Sequence, residues 1–259
     1  MKLPLYWIDA FSRRTFGGNP AAVVITDEPL AQDLMLGIAA ENNLAETAFV
    51  VPRGSRFSIR WFTPTVEMDL CGHATLASAF ALNLSGQASA SPILFDSRSG
   101  ELSVDVQSDR LALNFPARPS SPVSSTQRVA EALGVRPVAV HEAQATLAIL
   151  ESEAQVRALT PRLDLVVKLP GYGLIVTAPG EQCDFVSRFF APQVGVPEDS
   201  VTGSAHCILV PYWSQRLGRK ELHARQLSAR GGELWCEDRG ERVIIAGYCA
   251  LYLKGEIEV

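Results

Sequence analysis

A basic stripe, a membrane-length apolar run and a paired-cysteine motif are all missing from this chain of 259 residues. Each absence removes a class of function. Lys and Arg number 23 against 28 Asp and Glu, a net charge of −5, so the chain has no electrostatic footprint for a nucleic-acid partner. No apolar run approaches the roughly 20 residues that cross a bilayer. Asp9 also interrupts what would be the apolar core of a signal peptide, so the expectation is a cytoplasmic protein with no membrane partner. The five cysteines, Cys71, Cys183, Cys207, Cys236 and Cys249, form no Cys-x-x-Cys pair, which suits reduced thiols better than a disulfide framework. A Walker A loop, a Gly-x-Gly-x-x-Gly after a strand and a Gly-x-Ser-x-Gly elbow around Ser204 are absent too. No organic cofactor is therefore expected.

What is present is a repeat. Phe62 to Ala77 reads F-T-P-T-V-E-M-D-L-C-G-H-A-T-L-A, and Phe190 to Leu209 reads F-A-P-Q-V-G-V-P-E-D-S-V-T-G-S-A-H-C-I-L. Both run Phe-x-Pro-x-Val, then an acidic residue, then Gly-x-Ala opening an apolar segment. A repeat half a chain apart implies two related lobes. Gly72 and Gly203 let a loop backbone approach a ligand, and the residues after them carry helical apolar spacing. Unpaired N–H groups and the positive end of the helix dipole make each helix start an anion site. Two such starts facing one cleft would clamp a small carboxylate compound. Either glycine alone serves a tight turn equally well.

Between these copies the chain alternates β and α signals. Strand patterns cover 5–11 and 21–26, joined by the turn Phe16-Gly17-Gly18-Asn19-Pro20 as an antiparallel hairpin, and a helix is expected over 31–42. A strand over 44–51 puts Glu46 on one face with Leu44, Ala48 and Val50, and Thr47, Phe49 and Val51 on the other. If the first face is buried, a carboxyl sits among apolar neighbours, poised to accept and return a proton. Periodicity alone leaves the other face equally eligible, with Glu46 in solvent. Strands over 56–62, 93–96, 102–107 and 111–115 close the first lobe as a meander. The Pro/Ser-rich stretch 116–125 is the linker, giving lobes 1–117 and 118–259. In the second lobe, helices are expected over 126–133 and 153–159, and strands near 138–141, 146–150, 173–177, 221–228, 233–237 and 242–248. The segment 250–259 alternates and could join either lobe. A helix apolar on nearly all sides, such as 205–213, belongs inside a curled sheet. The fold class is α+β, with a mostly antiparallel sheet round a central helix in each lobe.

The polar residues at the helix starts carry the chemistry. His73 follows Gly72 as Ser204 follows Gly203, and either can hydrogen-bond a carboxylate or amine. Asp199 is an acceptor near the second start and equally a plain helix cap. His206, three residues into its helix, is read as packed or solvated. Cys71, His73, His206 and Cys207 could ligate a metal if the helix starts met, but the spacing of a zinc site is missing and no metal is expected.

The pieces G-G-N-P-A-A-V-V (17–24), N-L-A-E-T-A-F-V (43–50), F-T-P-T-V-E-M-D-L-C-G-H-A-T (62–75), E-D-S-V-T-G-S-A-H (198–206) and R-G-G-E-L (230–234) together resemble the PhzF-type phenazine-biosynthesis isomerase family. The resemblance spans nearly the whole chain. It implies the diaminopimelate-epimerase fold, an active site in the cleft between two lobes, commonly a homodimer, and cofactor-independent proton transfer. The family's glutamate falls at Glu46, its histidine at His73, its aspartate at Asp199 and its Gly-Ser helix start at Gly203-Ser204. Cysteine-based racemases of the same fold place a thiol before each Gly. Here Cys71 fills the first place and Thr202 the second, so a two-thiol mechanism is not available. A one-cysteine dehydratase or epimerase using Cys71, or a small-acid binding protein without turnover, are the alternatives. Gly72, Gly203, Ser204 and Cys71 are then the expected substrate-binding set.

Overall fold

The computed structural model describes residues 1–88 and 90–259, and its contacts divide the chain into two compact units. Unit 1 holds Met1–Asn114 and Ala246–Val259; unit 2 is the continuous stretch Phe115–Ile245. The sequence boundary near 118 therefore lies a few residues late, and the final segment belongs with unit 1.

Unit 1 contains β1 (Lys2–Ala10), β2 (Asn19–Ile25), α1 (Gln32–Asn42), β3 (Glu46–Arg53), β4 (Arg56–Phe62), β5 (Glu67–Met68), α2 (Gly72–Leu84), β6 (Ile93–Ser97) and β7 (Gly100–Gln107). The chain leaves it along β8 (Arg110–Pro116). Unit 2 follows with β9 (Ser121–Pro122), α3 (Gln127–Leu133), β10 (Ala139–Glu142), β11 (Thr146–Ile149), α4 (Glu153–Ala158), α5 (Leu163–Val166), β12 (Leu174–Pro179), β13 (Phe185–Ala191), β14 (Val196–Asp199), α6 (Gly203–Leu217), β15 (Glu221–Gln226) and β16 (Gly232–Asp238). Along β17 (Arg242–Gly247) the chain re-enters unit 1, ending in β18 (Cys249–Glu258).

Each unit repeats one pairing scheme. In unit 1, β1 is antiparallel to β2, β2 parallel to β3, β3 antiparallel to β4, β4 parallel to β6, and β6 antiparallel to β7. In unit 2 the same sequence of pairings runs β10, β11, β12, β13, β15, β16. A short strand folds back on its predecessor just before each long helix: β5 on β4, and β14 on β13. The sequence repeat thus marks a strand, a fold-back and a helix start.

β18 pairs with β1 from Lys2↔Glu258 to Ala10↔Cys249, which answers where the last segment goes. β13 is a strand that the sequence pattern did not give. It runs straight into the second repeat copy, and Arg188, paired to Glu198 at 2.7 and 2.9 Å, breaks its apolar pattern.

α2 is buried from His73 to Ala79 and again at Ala81 and Leu82. Its small side chains let the sheet close on it, and Thr75 and Ser78 return their hydroxyls to the Cys71 and Ala74 carbonyls at 2.6 and 2.7 Å. α6 is buried on most sides, with Trp213 Nε1 donating to Thr177 Oγ1 at 3.0 Å. Pro211 lies inside α6 and cannot donate to the Cys207 carbonyl four residues back. The Arg118 N–H donates there instead, at 2.9 Å, so the Pro/Ser-rich linker is tied to the helix.

Candidate active site

In unit 1 four side chains converge from three elements. Gly18 has φ +65°, and a Cβ there would collide with the Ala10 carbonyl oxygen, so only glycine turns the chain tightly enough to enter β2 with Asn19 opposite Ala10. β3 starts at Glu46, in parallel register with Ala21. Cys71, in extended conformation, is the N-cap of α2, followed by Gly72 and His73.

The question of which β3 face is buried resolves as both. Phe49 packs with Phe62, Met35 and Ile38, while Ala48 and Val50 on the opposite face are fully enclosed. Glu46, the first residue of the strand, shares the Ala48 face, and its side chain keeps 16% exposure. It is therefore neither sealed in nor solvated.

His73 is the hub. Its side chain is 7% exposed, and Nε2 lies 3.1 Å from Glu46 Oε2. Nε2 has no hydrogen-bond partner of good geometry, so the contact is chiefly electrostatic. Nδ1 lies 3.2 Å from Asn19 Nδ2 and 3.6 Å from Cys71 Sγ. Burial pulls the imidazole pKa down, but its neighbours Cys71 and Glu46 more than offset it and hold His73 well above its ordinary value. Burial, then the Glu46 charge, pushes the Cys71 thiol up.

Glu46, Cys71 and His73 offer ligand atoms within 4.8 Å of one another, a set the sequence reading did not consider as a metal site. Within this set the ring offers Nε2 to the carboxyl and Nδ1 to the thiol.

At the start of α6 in unit 2, the N-cap Thr202 donates its hydroxyl to Asp199 Oδ2 at 2.6 Å. Gln226, 1% exposed, binds both: Oε1 accepts the Thr202 N–H at 2.9 Å, and Nε2 donates to the Asp199 carbonyl at 2.9 Å and to Thr202 Oγ1 at 3.1 Å. Ser204 Oγ accepts from the Tyr172 hydroxyl at 3.0 Å, and burial raises the pKa of that phenol. His206 is packed, with no exposure and a ring nitrogen 2.8 Å from the Thr202 carbonyl. Burial lowers its pKa to about 4, which keeps it neutral. Burial likewise pushes Cys207 up to about 12.

The expected residues thus gather in two sets, Glu46, Cys71, Gly72 and His73 in unit 1, and Asp199, Gly203 and Ser204 in unit 2. Asn19, Tyr172 and Gln226 had no assigned role. Asn19 carried a signal, lying inside the Gly-Gly-Asn-Pro turn; Gln226 carried none. A separate cavity of about 310 Å³ on unit 2, with Ser120, His141, Tyr212 and Arg216 in its wall, contains none of the expected residues. All five cysteines are free thiols. No helix among the described residues is long and apolar enough to cross a membrane.

Comparison with known proteins agrees with this architecture. The profile of the family described as phenazine biosynthesis-like protein, PhzC-PhzF, matches residues 8–255. A protein named as an isomerase in Pseudomonas aeruginosa is 53% identical over 260 positions, covering 100% of both chains. The crystal structure of a PhzF-family phenazine biosynthesis protein from Enterococcus faecalis superposes with a TM-score of 0.98 at 42% identity, over 100% of both chains. A hydroxyproline epimerase from Agrobacterium vitis, solved with trans-4-hydroxy-L-proline, gives a TM-score of 0.63 at 10% identity over 99% of this chain and 91% of its own, a likeness of fold.

Proposed function

Because the chain belongs to the phenazine biosynthesis-like PhzC-PhzF family, whose relatives include named isomerases, we propose that it moves a proton within a small carboxylate-bearing substrate, using Glu46 as general acid and base and no metal or organic cofactor. The observation that carries this reading is the carboxyl of Glu46 beside the His73 imidazole at the start of α2. The residual 16% exposure of the Glu46 side chain leaves its carboxyl in reach of substrate. In the forward step Glu46 takes the proton of an acidified carbon; the C–H bond breaks, an O–H bond forms, and the electron pair passes into the adjoining π system. The Gly72 and His73 N–H groups lack intrahelical partners and stabilise the oxyanion that develops. Glu46 then returns its proton to another carbon, or to the opposite face of the same one, and the electron pair comes back. Atoms and electrons balance without a redox partner. Asp199, Gly203 and Ser204 enter this reading as substrate-binding and charge-stabilising groups, with Thr202 and Gln226 holding Asp199 in place.

A second reading is favoured by one contact, Cys71 Sγ at 3.6 Å from His73 Nδ1, a thiol–imidazole pair of the kind a one-cysteine dehydratase or epimerase would use. Burial works against it by holding the thiol protonated. Incubation of candidate hydroxy- and amino-carboxylates in heavy water separates these readings. Deuterium entering carbon that is lost in Glu46→Gln and kept in Cys71→Ala supports the glutamate. The reverse pattern supports the thiol. Binding without exchange points to a small-acid binding protein.

A further inference from the structure

Nδ1 of His73 faces two hydrogen-bond donors, the Asn19 amide nitrogen at 3.2 Å and the Cys71 thiol at 3.6 Å. A ring nitrogen so placed serves as an acceptor, and in a neutral imidazole the proton then sits on the other nitrogen. We propose that Asn19 is a positioning residue of the proton-transfer site, fixing neutral His73 as the Nε2–H tautomer so that the protonated nitrogen is the one 3.1 Å from Glu46 whether or not the ring is charged. This rests on the reading of Glu46 as the acid/base.

The physical content is a division of labour within one ring. The proton that titrates is the one on Nδ1, on the side away from Glu46. The proton on Nε2 stays beside the carboxylate throughout the cycle. Asn19 suits this role because it is 1% exposed and seated at the first position of β2, where the Gly18 turn fixes its backbone. An amide adds no charge. The titratable groups facing the ring are Glu46 from β3 and Cys71 from the helix cap; the acid on β1, Asp9, accepts the Phe16 N–H at 2.8 Å. A carboxylate in place of Asn19 would demand a proton on Nδ1 and reverse the arrangement.

The test is nitrogen NMR of the intact protein labelled with 15N-histidine, titrated across the pH range, with His73 assigned by loss of its signals in His73→Gln. The expected result is a neutral ring protonated at Nε2, and a doubly protonated ring that persists to higher pH in Asn19→Asp than in wild type. Asn19→Asp should also lower kcat at least tenfold with KM within about threefold, because the substrate-binding groups are untouched. A neutral wild-type ring protonated at Nδ1 overturns the proposal without any variant. An Asn19→Asp midpoint equal to wild type overturns it as well. Turnover surviving in Glu46→Gln would instead remove the reading beneath it while leaving the tautomer measurement intact.

Discussion

Glu46 Oε2 and His73 Nε2 stand 3.1 Å apart, one at the first residue of a strand and the other in the first turn of a helix. Backbone placement brings the two residues together from both ends, β3 for the carboxyl and α2 for the ring.

Replacing Glu46 with Gln keeps the volume and removes the base. Turnover on the true substrate should fall roughly 10²- to 10⁴-fold, with far-UV circular dichroism unchanged and a Tm close to wild type. Full activity in this variant would end the proposed mechanism.

Stability should also carry a signature of the pair. A base whose pKa is raised on folding holds its proton more tightly in the native state. Its contribution is complete below the unfolded histidine value of about 6.5 and is lost as pH rises through the higher folded value. The urea stability of wild type relative to His73→Gln should therefore shrink as pH increases from about 6.5. A difference that grows with pH would assign the wrong sign to the Glu46 effect.

Gln226 makes three hydrogen bonds to Thr202 and Asp199 from an enclosed position. Gln226→Leu leaves those groups without this partner and should cost about 1–3 kcal/mol in urea unfolding, together with a loss of substrate affinity if Asp199 binds substrate. An unchanged midpoint would mean that the loop before α6 is held by other contacts.

Arg118 supplies the donor that Pro211 lacks. Arg118→Pro should destabilise the protein by about 1–3 kcal/mol, whereas Arg118→Ala, which keeps the N–H, should not. Combined with Pro211→Ala, which restores a helix donor to the Cys207 carbonyl, Arg118→Pro should cost less. Additive effects in that cycle would rule out the substitution of one donor for another.

The repeat was legible because it is written in residues with fixed backbone meaning. Phe-x-Pro-x-Val marks a strand end, and Gly-x-Ala before an apolar run marks a helix start. Glu46 was legible as a candidate but its environment was not, since β3 is covered on both faces and period-2 alternation then carries no sign. β13 was hidden because its last residues double as the opening of the second repeat copy, and a paired arginine interrupts it. The partners of Asn19 and Gln226 lie 54 and 24 residues away, where no local pattern reaches. The pairing of β18 with β1 joins opposite ends of the chain, and such a contact leaves no trace in either segment alone.

That last pairing makes β1 an inner strand, flanked by β2 on one side and by β18 on the other. During synthesis the first strand must wait with one edge open until everything up to the final segment has emerged, while the second unit is already whole in sequence. A chain cut short before Ala246 would keep Glu46, Asn19 and His73 and still expose an unpaired edge beside them, the kind of surface that recruits neighbouring chains into aggregates.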